Sequence, residues 1–189
     1  LDVMAMYPEA MKKYISFAAE HSESVILIDG ANLETRFAGL EIVRKLGLQN
    51  NVIFNAVFPK MSKEELDAIR ESRIDAAILL AQNEMDYSPE GRITALKGFD
   101  GQVGLLEMAK NAGIKKILVD TIVFDVPSIA YAAEAVKLVK NEFGHPSGCS
   151  PANATYDWKM SKDELLKEGF AACNACLLYT SPSPRDRTR

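Results

Sequence analysis

The amino-acid sequence predicts an α/β fold in which parallel strands alternate with helices. Short, continuous apolar runs without polar alternation are typical of parallel strands that are covered on both faces. Amphipathic segments with helix start and stop signals separate these runs. The runs end about 30 residues apart, which is the length of one strand–helix unit in a (β/α)8 barrel. We therefore expect a (β/α)8 barrel, with an open doubly wound sheet as the alternative.

Six apolar runs are the predicted strands. In chain order they cover residues 1–3, 25–28, 52–54, 74–80, 117–119 and 147–149. The polar residues at or near their ends are Asp2, Asp29, Asn55, Asn83, Asp120 and Ser150. An open doubly wound sheet usually has a glycine-rich phosphate turn after its first strand. The sequence has no such turn, which favours the barrel.

Six amphipathic segments are the predicted helices. They cover residues 8–21, 33–46, 62–70, 103–112, 128–143 and part of 154–169. Glycines typical of helix C-terminal caps follow three of them, at Gly47, Gly113 and Gly144. Two segments begin with the spacing of a capping box, Ser62 with Glu65 and Ser161 with Glu164.

The composition argues against several functional classes. Hydrophobic residues make up 48% of the chain and the net charge is −4, so we expect a globular protein that does not bind nucleic acid. The apolar runs are far shorter than the ~20 residues that cross a bilayer, and we therefore expect no membrane insertion. Three cysteines do not form a disulfide framework, which favours the cytoplasm. His21 and His145 belong to no cluster with metal-ligand spacing, so we expect no metal.

Carboxylates and amides dominate the ends of the predicted strands. In a barrel, the carboxyl ends of the strands form the active face. This would bring together Asp2, Asp29, Asn55, Gln82 or Asn83, Asp120 and the turn from Ser150 to Asn153. A carboxylate accepts hydrogen bonds, whereas an amide both donates and accepts them. Such a set suits a flat heterocycle with donors and acceptors on its edge. The alternative for each residue is a turn or helix-capping role.

Several short stretches carry a resemblance to a known family. They are residues 1–3, 8–11, 28–30 with Arg36, 52–55, 74–81, 90–92, 118–121 and 146–159. In this order and spacing, the chain resembles the H-subunit family of tetrahydromethanopterin S-methyltransferase. The family includes methyltetrahydrofolate–corrinoid methyltransferases, and the resemblance covers nearly all of residues 1–175.

The resemblance implies a pterin-binding (β/α)8 barrel, related to dihydropteroate synthase. The chain would then be a fragment from about strand 2 to the helix after strand 7. The implied reaction moves a methyl group between N5 of a tetrahydropterin and the cobalt of a corrinoid on a partner protein. The tetrahydropterin would be tetrahydromethanopterin or tetrahydrofolate. We also expect a homodimer of the full-length protein.

The resemblance also implies roles for individual residues. By position, Asp29, Asn55 and Asp120 match the residues that hold the pterin ring, and Asn153 matches the catalytic asparagine near N5. Asp2 and Asn83 would make additional cofactor contacts. An amide cannot act as a full acid, but it can stabilise the protonated N5 amine, which is the leaving group when the methyl is transferred.

Two functional alternatives stay open. The chain could be a barrel protein that docks a corrinoid protein without catalysis, or a condensing enzyme like dihydropteroate synthase. The turns after Asn55 and Asp120 lack the pattern of that synthase.

Residues 176–189 resemble a translated sequencing adaptor, so we expect the domain to cover residues 1–175 and the tail to be non-native.

Overall fold

The computed structural model describes residues 1–180 of the chain. Its first half contains β1 (Asp2–Ala5), α1 (Pro8–His21), β2 (Ile26–Gly30), α2 (Leu33–Leu46), β3 (Val52–Val57), α3 (Lys63–Ser72), β4 (Ala76–Leu80) and α4 (Pro89–Lys97). Its second half contains β5 (Gly98–Phe99), β6 (Gln102–Val103), α5 (Leu105–Asn111), β7 (Lys116–Asp120), α6 (Ser128–Phe143), β8 (Ser147–Gly148), a 3-10 helix (Pro151–Met160) and α7 (Glu164–Thr180).

Six parallel strands form the main sheet, which confirms the predicted α/β class. Their order across the sheet is β1-β2-β3-β4-β7-β8, the same as their order along the chain. The two short strands β5 and β6 pair with each other as an antiparallel hairpin. A doubly wound sheet reverses its strand order at a switch point. The main sheet has no such reversal among the described strands.

The hydrophobic core lies between one face of the sheet and the helices. Ile28, Phe54 and Leu79 are at most 1% exposed on that face, and they pack in one cluster with Met11 of α1 and Val43 of α2. Side chains alternate between the two faces of a strand. The neighbouring positions therefore point to the other face, where they are only partly buried.

Local signals explain where several helices begin and end. The predicted capping box forms at the start of α3, where the Ser62 hydroxyl accepts from Glu65 N and the Glu65 carboxylate accepts from Ser62 N. Gly47 ends α2 and Gly144 ends α6, both in the left-handed conformation that glycine adopts without strain. The structure confirms these three predictions.

Other predicted boundaries were wrong. β1 continues to Ala5, so Asp2 begins a strand instead of ending it. The second capping box does not form, because the Ser161 hydroxyl accepts from Asp163 N while the Asp163 carboxylate accepts from Leu165 N. The helix expected within 154–169 is present as α7, which begins at Glu164 after the 3-10 helix and continues to Thr180. Helix α5 begins after Val103, since Val103 pairs with Gly98 in the hairpin.

Helix α4 and the β5–β6 hairpin were not predicted from the sequence. Within residues 1–180, no helix has both the length and the apolar character needed to cross a bilayer. The expected non-native tail begins at residue 176. Helix α7 extends to Thr180, and residues 181–189 of that tail lie outside the described residues.

Candidate functional site

The face of the sheet that the helices leave uncovered carries the candidate site. We call it the open face. Its half-buried members are Leu27, Asp29, Ile53, Asn55, Ile78, Leu80, Leu118 and Asp120. The polar members of this set lie towards the carboxyl ends of their strands. The open face is therefore apolar near the middle of its strands and polar towards their carboxyl ends.

The strand register places two of the predicted site residues side by side. Asp29 of β2 is level with Asn55 of β3, and Asn55 is level with Ile78 of β4. Asp120 of β7 is level with Leu80, two residues further along β4. Neighbouring strands lie ~4.8 Å apart, so Asp29 and Asn55 are direct neighbours and Asp120 lies two strands beyond Asn55.

Asp29 occupies a position that disfavours its negative charge. Burial raises the pKa of its carboxyl group, and repulsion from the Asp2 carboxylate raises it further. The Arg36 guanidinium acts in the opposite direction and lowers this pKa. A ligand that presents N–H donors would stabilise the ionised form, because it would replace the lost hydration.

Asp120 is held by the backbone of its own loop. The Ile122 N–H donates to Asp120 Oδ1 over 2.8 Å, and this hydrogen bond lowers the carboxyl pKa. Burial is the larger influence, and the net pKa of Asp120 is raised. The carboxylate therefore has one fixed donor and remaining capacity to accept from a ligand.

A recess adjoins Asp120 on the open face. Its volume is about 360 Å³, and its wall includes Ile78, Leu118, Gly148 and Ser150. Small-molecule sites commonly measure ~300–1,000 Å³ and combine apolar walls with a few polar groups. Cys149 also lines the recess, but burial and the Asp120 charge raise the pKa of its thiol, which makes it a poor nucleophile.

The remaining predicted residues lie further from this set. Asp2 is exposed at the start of β1, on the same face as Asp29 and level with Leu27. Asn83 follows the end of β4 by three residues, where its amide donates to Gly91 O over 3.3 Å and accepts from Met85 N over 3.0 Å. Asn153 is exposed within the 3-10 helix, so it does not cap a helix that begins at Ala154.

Arg92 is a buried residue near the site, and the sequence analysis gave it no role although it lies in one of the stretches that match the family. Its side chain is on α4 and donates to backbone carbonyls in the loops after β4 and β7. Ser88 followed by Pro89 is a helix-start signal that could have located α4. The pattern gave no sign that an arginine there would be 2% exposed.

The model of one protein family matches almost all of the described chain. That family is the tetrahydromethanopterin S-methyltransferase MtrH subunit, and the match covers residues 1–176. The chain belongs to this family. The MtrH family assignment confirms the resemblance inferred from the sequence.

Curated relatives, which include proteins of this family name and a similarly named H subunit, are identical to the chain at about a third of the aligned positions. The tetrahydromethanopterin S-methyltransferase H subunit from Methanothermobacter marburgensis is 33% identical over 172 residues, 88% of this chain and 56% of the relative. The Methanopyrus kandleri protein of the same name is 33% identical over 169 residues, 87% of this chain and 52% of the relative. The H subunit of a putative mtx methyltransferase from Methanosarcina barkeri is 31% identical over 185 residues, 94% of this chain and 60% of the relative. The chain thus spans a little over half the length of these curated relatives.

Proposed function

We propose that the chain is the pterin-binding part of a methyltransferase. The full-length protein would move a methyl group between N5 of a tetrahydropterin and the cobalt of a corrinoid on a partner protein. One observation carries this proposal: Asp29, Asn55 and Asp120 lie on one face of a parallel sheet, near the carboxyl ends of its strands, in a member of the MtrH family.

We propose further that residues 1–175 are part of a (β/α)8 barrel of the pterin-binding type and that the tail after them is non-native. Two features support a barrel. The described strands follow chain order without reversal, and the helix-facing side is buried while the open face is only half-buried. In a closed barrel the open face would be the interior, and side chains from the remaining strands would fill it. Strand 1 and strand 8 of the barrel would then lie outside this chain.

The proposed ligand fits the donor set of the site. A pterin ring presents N–H and amino donors beside a carbonyl acceptor. Asp29 and Asp120 would accept from the donors, and the Asn55 amide would pair with a donor and an acceptor together. The raised pKa of both carboxyl groups supports this arrangement, because each lacks enough compensation for its buried charge until a ligand arrives. Asp2 and Asn83 would contribute additional contacts at the margin.

The reaction needs no covalent intermediate on the protein. A corrinoid on the partner protein would supply the cobalt that accepts or donates the methyl group. This chain would bind and orient the pterin, and orientation alone contributes several kcal/mol to such reactions. The difficult step is departure of the N5 amine, which an amide at Asn153 would stabilise as the nitrogen gains a proton.

Ligand binding tests the proposal directly. Titration calorimetry of the full-length protein with methyl-tetrahydrofolate and methyl-tetrahydromethanopterin should show binding of one of them. Asn55→Ala should weaken that binding. Asp75→Asn should not, because Asp75 pairs with Lys116 at the amino ends of the strands, away from the proposed site. Absence of binding to both pterins would overturn the proposal. Pterin binding without methyl transfer to cob(I)alamin would favour a docking role.

A second experiment separates catalysis from binding at Asn153. Asn153→Ala should slow single-turnover methyl transfer to cob(I)alamin by roughly 10–1000-fold, the size of one lost electrostatic contact in a transition state. The dissociation constant of the pterin should change much less, because the contact strengthens only as the methyl group departs. A wild-type rate with the variant saturated in methyl-pterin would remove Asn153 from the mechanism.

The proposed partners have separate tests. A corrinoid-binding protein should form a complex with the full-length protein, and methyl transfer to its bound corrinoid should be faster than methyl transfer to free cob(I)alamin. Sedimentation of the full-length protein alone should give the mass of a homodimer.

A further inference from the structure

We propose that Arg92 is a positioning residue that fixes the Asp120 carboxylate by clamping the backbone of Ile122. The inference rests on the proposed role of Asp120 in ligand binding. Arg92 touches no ligand in this scheme. It acts through the loop that follows β7, by way of hydrogen bonds that set that loop's conformation.

The Arg92 guanidinium is buried and bonded to backbone carbonyls. Its Nε donates to Thr121 O over 2.5 Å, and one terminal nitrogen donates to Ile122 O over 3.2 Å. The other terminal nitrogen donates to Ser88 O over 3.2 Å and to Tyr87 O. The side chain thus joins the loop after β7 to the loop after β4, and a planar guanidinium is the group that can bond in these directions together.

Ile122 has a backbone conformation that its side chain disfavours. Its φ is +56°, in the left-handed region where a β-branched residue is strained. Strain of this kind persists only where the surroundings impose it. Arg92 holds the carbonyl of Ile122, and the N–H of the same residue donates to Asp120 Oδ1 over 2.8 Å. The strained residue therefore links the arginine to the carboxylate.

Thr121, whose carbonyl also accepts from Arg92, has further hydrogen bonds that do not involve the arginine. The Thr121 N–H donates to Gly148 O over 2.8 Å, and its hydroxyl donates to Ala132 O over 3.0 Å. Loss of the arginine should therefore release Ile122 without detaching Thr121 from β8 and α6. Once released, Ile122 would relax towards negative φ, and Asp120 would lose its backbone donor.

The decisive variant is Arg92→Lys in the full-length protein. An ammonium group keeps the charge but cannot reproduce the fork of donors. The affinity for methyl-tetrahydropterin should fall about 10–100-fold, as expected when a binding group is misplaced. The pKa of Asp120, followed by carbon-13 NMR of labelled aspartate, should rise further because the Ile122 hydrogen bond is lost. The pKa of Asp29 should stay at its wild-type value, since Arg92 makes no bond to the β2 end.

A rescue variant distinguishes positioning from general stability. Glycine adopts positive φ without strain, so Ile122→Gly should make the clamp unnecessary. The double variant Arg92→Lys with Ile122→Gly should recover most of the affinity and the wild-type pKa of Asp120. It also provides the measurement if Arg92→Lys alone does not fold. Cys149, the titratable neighbour of Asp120, is replaced by serine in all proteins so that its own titration does not contribute.

Several outcomes would overturn the inference. A folded Arg92→Lys protein with wild-type affinity and a wild-type Asp120 pKa would show that the clamp does not position the carboxylate. Equal pKa shifts at Asp29 and Asp120 would indicate general loosening. If the Asp120 pKa of the double variant stayed at the further increased value of Arg92→Lys and did not return to the wild-type value, Ile122 would be excluded as the link. If the wild-type protein binds no pterin, the proposed function fails, and the NMR titration still decides the role of Arg92.

Discussion

The carboxyl ends of β2 and β7 hold their aspartates in different ways. Burial raises the pKa of both Asp29 and Asp120. An arginine acts near each strand end, but only Arg36 influences the carboxyl group directly. At β2, Arg36 acts on Asp29 through its charge and is itself paired with Glu65. At β7, the neighbouring Arg92 bonds backbone carbonyls, and Asp120 accepts a backbone N–H.

The difference separates electrostatic control from geometric control. Burial has the largest influence on the pKa of Asp29, and two charged neighbours then adjust it, Asp2 by raising it and Arg36 by lowering it. The orientation of Asp120 depends on a hydrogen bond from a strained loop residue. Changes in charge should therefore affect the β2 end most, whereas changes in backbone conformation should affect the β7 end most. The following substitutions test this contrast.

The largest decrease in the free energy of unfolding is expected from Glu65→Ala, because Glu65 pairs with Arg36, the arginine that acts on Asp29 of β2. The Glu65 and Arg36 side chains are 9% and 15% exposed, with Oε1 2.5 Å from the guanidinium. Removing one partner leaves a desolvated charge, which costs about 3–5 kcal/mol. The capping box with Ser62 is lost as well. Urea denaturation of the full-length protein measures the change.

A control on the same helix shows whether burial explains the loss. Asp67 pairs with Arg70 on the exposed side of α3, with a distance of 3.0 Å between the charged groups. Asp67→Ala should cost less than about 1 kcal/mol, as exposed pairs usually do. If Glu65→Ala and Asp67→Ala had equal effects, the Arg36 pair would not be what stabilises the β2 end.

The next largest effect concerns affinity at the β7 end. Asp120→Ala should weaken pterin binding by roughly 1.5–3 kcal/mol, because a charge-assisted hydrogen bond to the ligand is lost. Calorimetry with the methyl-tetrahydropterin measures the change, and Asp75→Ala at the amino edge of the sheet is the matched control. Unchanged affinity would mean that Asp120 only organises its own loop.

Sequence patterns located the strand ends well because the relevant signals are local. An apolar run followed by a polar residue identified Asp29, Asn55 and Asp120, and all three are on the open face near the carboxyl ends. The same rule misplaced Asp2, because a run that starts at the first residue gives no indication of where its strand ends. Whether these residues bind a ligand stays a prediction.

The supporting contacts could not be predicted, because they depend on distant parts of the chain. Arg92 is followed by Ile93 in a helix without a clear apolar stripe, and its bonds reach a loop about 30 residues away. The positive φ of Ile122 has no sequence signal, since isoleucine disfavours that conformation. Tertiary hydrogen bonds impose it. Residues behind a site are therefore harder to find than residues within it.

A smaller effect is expected from pH. Both carboxyl groups have raised pKa values in the free protein, and the proposed ligand binds their ionised forms. Affinity should therefore be highest above both raised values and should fall as the pH decreases through them. Asp29→Asn should make this dependence shallower by removing one titrating group. The pterin's own titration is common to both proteins and cancels in the comparison. Parallel pH profiles would exclude Asp29 from ligand binding.

The smallest effect tests whether charge controls the β2 end alone. Asp2 is exposed, and its charge raises the pKa of Asp29. Asp2→Asn removes that repulsion, so the pKa of Asp29 should fall while the pKa of Asp120 stays unchanged. Charge interactions of exposed groups are worth about 0–1 kcal/mol, so pterin affinity should change by less than about fivefold. Carbon-13 NMR titration of labelled aspartate follows both groups in one sample. A shift at Asp120 as large as that at Asp29 would contradict the separation between the two strand ends, because Asp120 would then respond to charge and not to its loop.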